Sequence, residues 1–250
     1  METEIKYGII SAKQPEFPVK SLLVVPHKSK SLTVSYPAFG PNYFRSNIAE
    51  MQKSYSHPQT GKRILFREPA TSESISAAAY RFGELAKPGI FDPKWLQLGY
   101  IVRTSEGVFA NPPKNSEGNQ ITDEKTLKSL LNKAEKVNGI YLSDNDFGFA
   151  PYETFKQGVQ DAGDFAESGL ARLLERTKGK VAKNLKEMAS PEFYNRGVNV
   201  WGFDNVTEPA LMAAGLGSGG GFGWYGLSVV GGDWGDGSGY AFGVLKEAKK

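Results

Sequence analysis

Two carboxylates one residue apart, Asp144 and Asp146 in SDNDFG, are spaced to share a divalent cation. They follow GIYLS, which reads as a strand, and sheets of mixed proteins often gather ligands just beyond strand ends. Glu153 is placed to join them from the next element, which gives a metal-dependent hydrolase using Asp144, Asp146 and Glu153 with Mg²⁺ or Ca²⁺ as the fallback reading. The same Asp-Asn-Asp run also suits an ordinary strand-to-helix turn, because these side chains hydrogen-bond their own backbone. No metal or other cofactor is therefore expected.

The preferred reading rests on cations. In GLARLLERTKGKVAKNLKEM, residues 169 to 188, a helix continuing through Gly179 places Leu170, Leu174, Val181, Leu185 and Met188 on one face. Arg172, Arg176, Lys180 and Lys183 then share the opposite face, spread over about 17 Å of helix axis. Such a row can neutralise a line of phosphates, so the expected function is a non-enzymatic binding or interaction protein whose partner is nucleic acid or an acidic protein surface. A solvated outer face explains the same pattern, and a break at Gly179 would swing Lys180 and Lys183 away.

Other chemistries find less support. The chain has no cysteine and two histidines, which removes disulfides, thiolate catalysis and sulfur-based zinc sites. His27 and His57 both fall in segments read as exposed loops, and no G-x-S-x-G elbow is present. Gly215, Gly217 and Gly220 have G-x-G-x-x-G spacing, yet EPALMAAG before them reads as helix and WYGLSVV after them as strand. That order presents no helix N-terminus to a phosphate. Thirteen of the 29 glycines lie between residues 215 and 250 with six interspersed aromatics, and this tail also raises a self-assembling structural component as an alternative.

At 250 residues, 40% hydrophobic and 23% charged, the chain can bury a sizeable core, and a net charge of +3 is too small for binding nucleic acid by bulk charge. The N-terminal METEIKYGII lacks the pattern of a secretory signal, and no apolar run approaches a membrane span. A soluble, cytoplasmic protein is expected.

The elements that must position these residues read as an α+β fold, with mixed or antiparallel short sheets and three or four amphipathic helices. Hairpins are expected at residues 19 to 37 and 96 to 110, and strands at 62 to 67, 139 to 143 and 197 to 203. Helices are expected at about 42 to 55, 71 to 86, 122 to 138 and 151 to 188, the third capped by Thr122 and stopped by Asn138-Gly139. Residues 1 to 110 form an N-terminal lobe, 111 to 121 a linker and 122 to 212 a helix-rich lobe. Residues 213 to 250 form a hairpin or a flexible segment, and all of these can also pack as a single domain.

Overall fold

The β-branched runs flanking HKSK pair in register in the computed structural model, which describes residues 21–57, 59–80, 95–192, 194, 197–219, 226–232 and 237–246. Strands β1 (Ser21–His27) and β2 (Lys30–Tyr36) are antiparallel, and Pro26 sits on β1 because that strand is an edge, where its missing N–H leaves no ladder bond unmade. Helix α1 (Phe44–Met51) buries Phe44, Ile48 and Met51 as the spacing requires. It ends short of residue 55 because Ser54–Ser56 forms β3 against β4 (Arg63–Arg67). Helix α2 (Thr71–Tyr80) follows, and the remainder of that expected helix lies outside the described residues.

Strands β5 (Trp95–Arg103) and β6 (Gly107–Ala110) form the second expected hairpin. The helix expected over residues 122 to 138 is much shorter. Helix α3 (Glu124–Leu130) is capped by Asp123 in place of Thr122, its carboxylate accepting from the Thr126 N–H at 2.7 Å, and Leu127 is its buried residue. Asn138 and Gly139 have φ of 49° and 87°, and they turn the chain between β7 (Glu135–Val137) and β8 (Ile140–Leu142) instead of ending a helix.

The helix expected from 151 to 188 is a succession of short elements. Pro151 closes β9 (Gly148–Pro151), a 3₁₀ turn spans Tyr152–Thr154, and β10 (Gly158–Gln160) precedes α4 (Ala162–Glu167), α5 (Gly169–Glu175) and α6 (Lys183–Met188). Ser168, in extended conformation, ends α4 and caps α5 through its hydroxyl on the Ala171 N–H. Gly169 permits close approach here, since a Cβ would lie 2.5 Å from that of Thr154.

The last third is mostly strand: β11 (Val198–Trp201), β12 (Ala210–Gly219), β13 (Gly226–Gly231), β14 (Gly239–Tyr240) and β15 (Val244–Leu245). EPALMAAG is therefore not helical: its last six residues open β12, which pairs with β5 on one side and β13 on the other. Strand-forming partners on both flanks override the helical propensity of Ala, Leu and Met. Among the described residues the next element after these glycines is the strand β13. Residues 206 to 209 lead directly into β12.

The strands make two sheets. The smaller has the order β1-β2-β15-β4-β3, and the larger β10-β11-β13-β12-β5-β6-β9-β8-β7, with β14 beside β5. Residues 111 to 121 connect parts of one continuous sheet, because β5 and β6 before them pair with β12 and β9 after them. The C-terminal segment crosses from the large sheet to the small one, where β15 lies between β2 and β4. Buried Asn47 fastens the crossing: its amide donates to Gln97 Oε1 at 2.7 Å and to the Gly239 carbonyl at 2.9 Å.

Helix α2 is the hub between the layers, packing on β1, β5, α5 and α6. Every residue from Thr71 to Ala78 is buried, so its serines are placed among other elements and away from bulk water. No described helix is long and apolar enough to cross a membrane.

Candidate functional site

The break in the expected rod creates the cleft that is the candidate site. Helix α5 stops at Arg176, whose φ of 55° and ψ of 50° are left-handed. The Thr177 N–H donates to Arg172 O and the Arg176 N–H to Leu173 O, the paired bonds of a Schellman ending. An arginine accepts this conformation because its side chain is anchored elsewhere. Its guanidinium donates to the carbonyls of Ser143 and Phe147, and its Nε is 3.1 Å from Asp146 Oδ1. The single cationic face predicted for residues 169 to 188 therefore does not form, and Arg176 is committed to the β8–β9 loop.

Arg172 departs further from expectation. It is 5% exposed, and its guanidinium donates to Asn138 O at 2.7 Å and Glu167 O at 3.1 Å, with Val137 O at the 3.5 Å limit. It is a buried clamp and cannot meet a partner. Lys180 is exposed in the turn between α5 and α6, whereas Lys183 stands on the first turn of α6 and lines the cleft.

The cleft has a volume of about 700 Å³, within the range of small-ligand pockets. Four elements build it. The β1–β2 turn supplies His27, Lys28 and Lys30; α2 supplies Glu73 and Ser76; the β8–β9 loop supplies Asp144 and Asp146; and the α5 end with the α6 start supplies Glu175, Arg176 and Lys183.

His27, expected in an exposed loop, is only 4% exposed, and its Nδ1 lies 2.9 Å from Ser76 Oγ. Burial holds its pKa below the ordinary imidazole value, and the Lys28 and Lys30 charges add to this against the opposing pull of Glu73 and Asp146. The ring is therefore a neutral base near pH 7. Ser76 and His27 are 49 residues apart, so no local pattern joins them. The only available signal was the serine-rich composition of an otherwise apolar helix.

Glu73, 3% exposed, sits behind them and takes a forked bond from Arg67 at 2.7 and 2.6 Å and another from the Ala70 N–H at 2.9 Å. Burial alone would raise its pKa, but the Arg67 bonds and charge with the Ala70 N–H outweigh it and hold the carboxyl below its ordinary value. Glu175 goes the other way. Burial pushes it up, although its carboxylate accepts from the Asn184 and Leu185 N–H groups and so caps α6, which has no cap from its own N-cap residue, Ala182.

The metal reading finds little geometry to rest on. Asp144 and Asp146 both line the cleft, but Asp146 Oδ1 already pairs with Arg176 at 3.1 Å and Lys28 at 3.3 Å. Glu153 lies on the 3₁₀ turn and lines a different groove, beside β10. Among the described residues no group of three or more His, Asp or Glu side chains could hold a metal ion. Nor do Ser76 and His27 make a complete hydrolytic centre: neither Glu73 nor Asp146 is hydrogen-bonded to the ring among the described residues.

What distinguishes the cleft is its unused charge. Glu73 is taken by Arg67, Lys178 pairs with Glu135, and Asp146 is shared by two cations. Lys30 and Lys183 line the same cleft with no side-chain ion pair or hydrogen bond to any described residue, although the Lys183 backbone N–H and charge both act on Glu175, and the Asp144 side chain, which acts on Arg176 at longer range, likewise has none. No protein-family model, curated protein or solved structure matches the chain, so the site is characterised by its own geometry.

Proposed function

We propose that the protein is a binding protein for a compact polar anion held in the cleft between the β1–β2 turn, α2 and the α5–α6 junction. The observation that carries this reading is the pair of ammonium groups without an ion pair among the described residues, Lys30 and Lys183, contributed to one half-open polar cleft by elements far apart in sequence. They receive a carboxylate or phosphate group, while Asp144 accepts from a donor elsewhere on the ligand. A cleft of about 700 Å³ suits a metabolite of nucleotide size or smaller, and its described lining includes no Phe, Tyr or Trp ring on which bases of an extended nucleic acid would stack.

The test is a calorimetric titration at pH 7 with inorganic sulfate, inorganic phosphate, adenosine monophosphate and a single-stranded oligonucleotide. At least one compact anion should bind, and Lys30→Gln combined with Lys183→Gln should weaken it about tenfold, the loss expected from removing two charged hydrogen bonds at a half-open site. Absence of binding by every compact anion, or equal affinity in the double variant, overturns the proposal. Binding of the oligonucleotide alone returns the function to nucleic acid.

A further inference from the structure

His27 is the histidine of the cleft and carries the side-chain type that ordinarily changes charge near neutral pH, beside Glu175, a carboxyl raised above its ordinary value by burial. Its surroundings are mixed. From its own hairpin Lys28 and Lys30 face it, from α2 Glu73 and Ser76, and from the β8–β9 loop Asp146. Across the cleft stand Glu175, Arg176 and Lys183. Two of the nearby carboxylates, Glu73 and Asp146, pull the ring toward its charged form, but both are shared with arginine or lysine and do not offset its burial, which leaves the imidazolium short of counter-charge. An anion resting on Lys30 and Lys183 would supply the missing counter-charge.

We infer that the cleft takes up its anion together with a proton, carried by His27 against Ser76. This rests on the proposed anion site and specifies how that site responds to pH. A bound anion favours the imidazolium, so the His27 pKa in the complex lies above its value in the free protein. Affinity is then highest below the free-state pKa and falls as pH rises through the bound-state pKa. The free-state value lies below that of an ordinary imidazole, which puts the window on the acid side of neutrality. Ser76 keeps its contact through the change by turning its hydroxyl from donor to acceptor.

The experiment uses inorganic sulfate, whose charge is constant between pH 5 and 8, at fixed ionic strength with the full chain. Binding should be about fivefold tighter at pH 5 than at pH 8, and saturating sulfate should move the His27 titration midpoint up by about 0.7 of a pH unit, the same coupling seen from the other side. With only His27 and His57 in the chain, a His57→Asn variant leaves one imidazole signal for nuclear magnetic resonance. His27→Asn, which keeps a hydrogen-bonding partner for Ser76 but does not titrate, should lose the pH slope. Sulfate bound equally at both pH values, or an unmoved His27 midpoint, overturns the inference while leaving the anion site standing. A slope that survives in His27→Asn assigns the proton to Glu175 or another carboxylate and also overturns it. No sulfate binding at any pH overturns both this inference and, for sulfate-like anions, the site itself.

Discussion

Replacing Arg172 with alanine is expected to destabilise the protein by about 3 kcal/mol, lowering its melting temperature by about 6 to 12 °C for a chain of this size. The guanidinium is buried and serves carbonyls from two places: Asn138 in the β7–β8 turn and Glu167 at the end of α4. Removing it leaves those oxygens without their donor at about 1 to 3 kcal/mol for each buried group. It also removes a packed aliphatic stem. Arg172→Met restores the stem alone and should recover only part of the loss. Denaturant unfolding measures the stability, and the titration used for the cleft measures binding. A residue held for a partner would give the opposite result, with stability unchanged and affinity lost.

Arg172 shows why the sequence misled at this point. A cation every four or so residues opposite a leucine stripe is identical on paper whether it faces water or caps carbonyls of a neighbouring hairpin. The deciding facts are non-local: Asn138 lies 34 residues from Arg172, and Ser143 lies 33 from Arg176. The first third was more legible because its contacts are closer in sequence and its signals agree. Two β-branched runs around HKSK had one short route to pairing, and Phe44, Ile48 and Met51 had a helical spacing that matched their burial.

Between residues 120 and 190 the local signals admitted two answers. Asn138-Gly139 stops a helix or turns a hairpin, and the tight return to Ile140–Leu142 selected the hairpin. Ser168 was inconspicuous inside a run read as helix, yet this one extended residue separates two helices. The run EPALMAAG was misread for a related reason. Ala210–Gly219 has few strand-forming side chains and becomes a strand because β5 and β13 flank it. Of the site itself, the Asp144 and Lys183 positions could be picked out beforehand, whereas the His27–Ser76 pair required the fold that brings β1 onto α2.

Phe109→Ala should be costlier still, about 3 to 5 kcal/mol, and should reach the cleft without touching it. Phe109 is fully buried on β6, where its ring stacks on Phe147 at 5.8 Å with planes 6° apart and meets Phe149 at 4.4 Å, with Leu127 of α3 covering the cluster. Phe147 directly follows Asp146, and the Phe147 carbonyl accepts from both Ser143 Oγ and the Arg176 guanidinium. A cavity behind this ring therefore loosens the loop that presents Asp144 and Asp146. Phe109→Leu, which fills most of the space, should recover more than half of the stability. In a double-mutant cycle with Phe147→Leu the two rings should couple by about 0.5 to 1.5 kcal/mol. If the cluster positions the cleft wall, anion affinity in Phe109→Ala falls even at temperatures where the protein is fully folded. Unchanged affinity under those conditions would mean that the loop holds its shape through the Arg176 and Asn111 contacts alone.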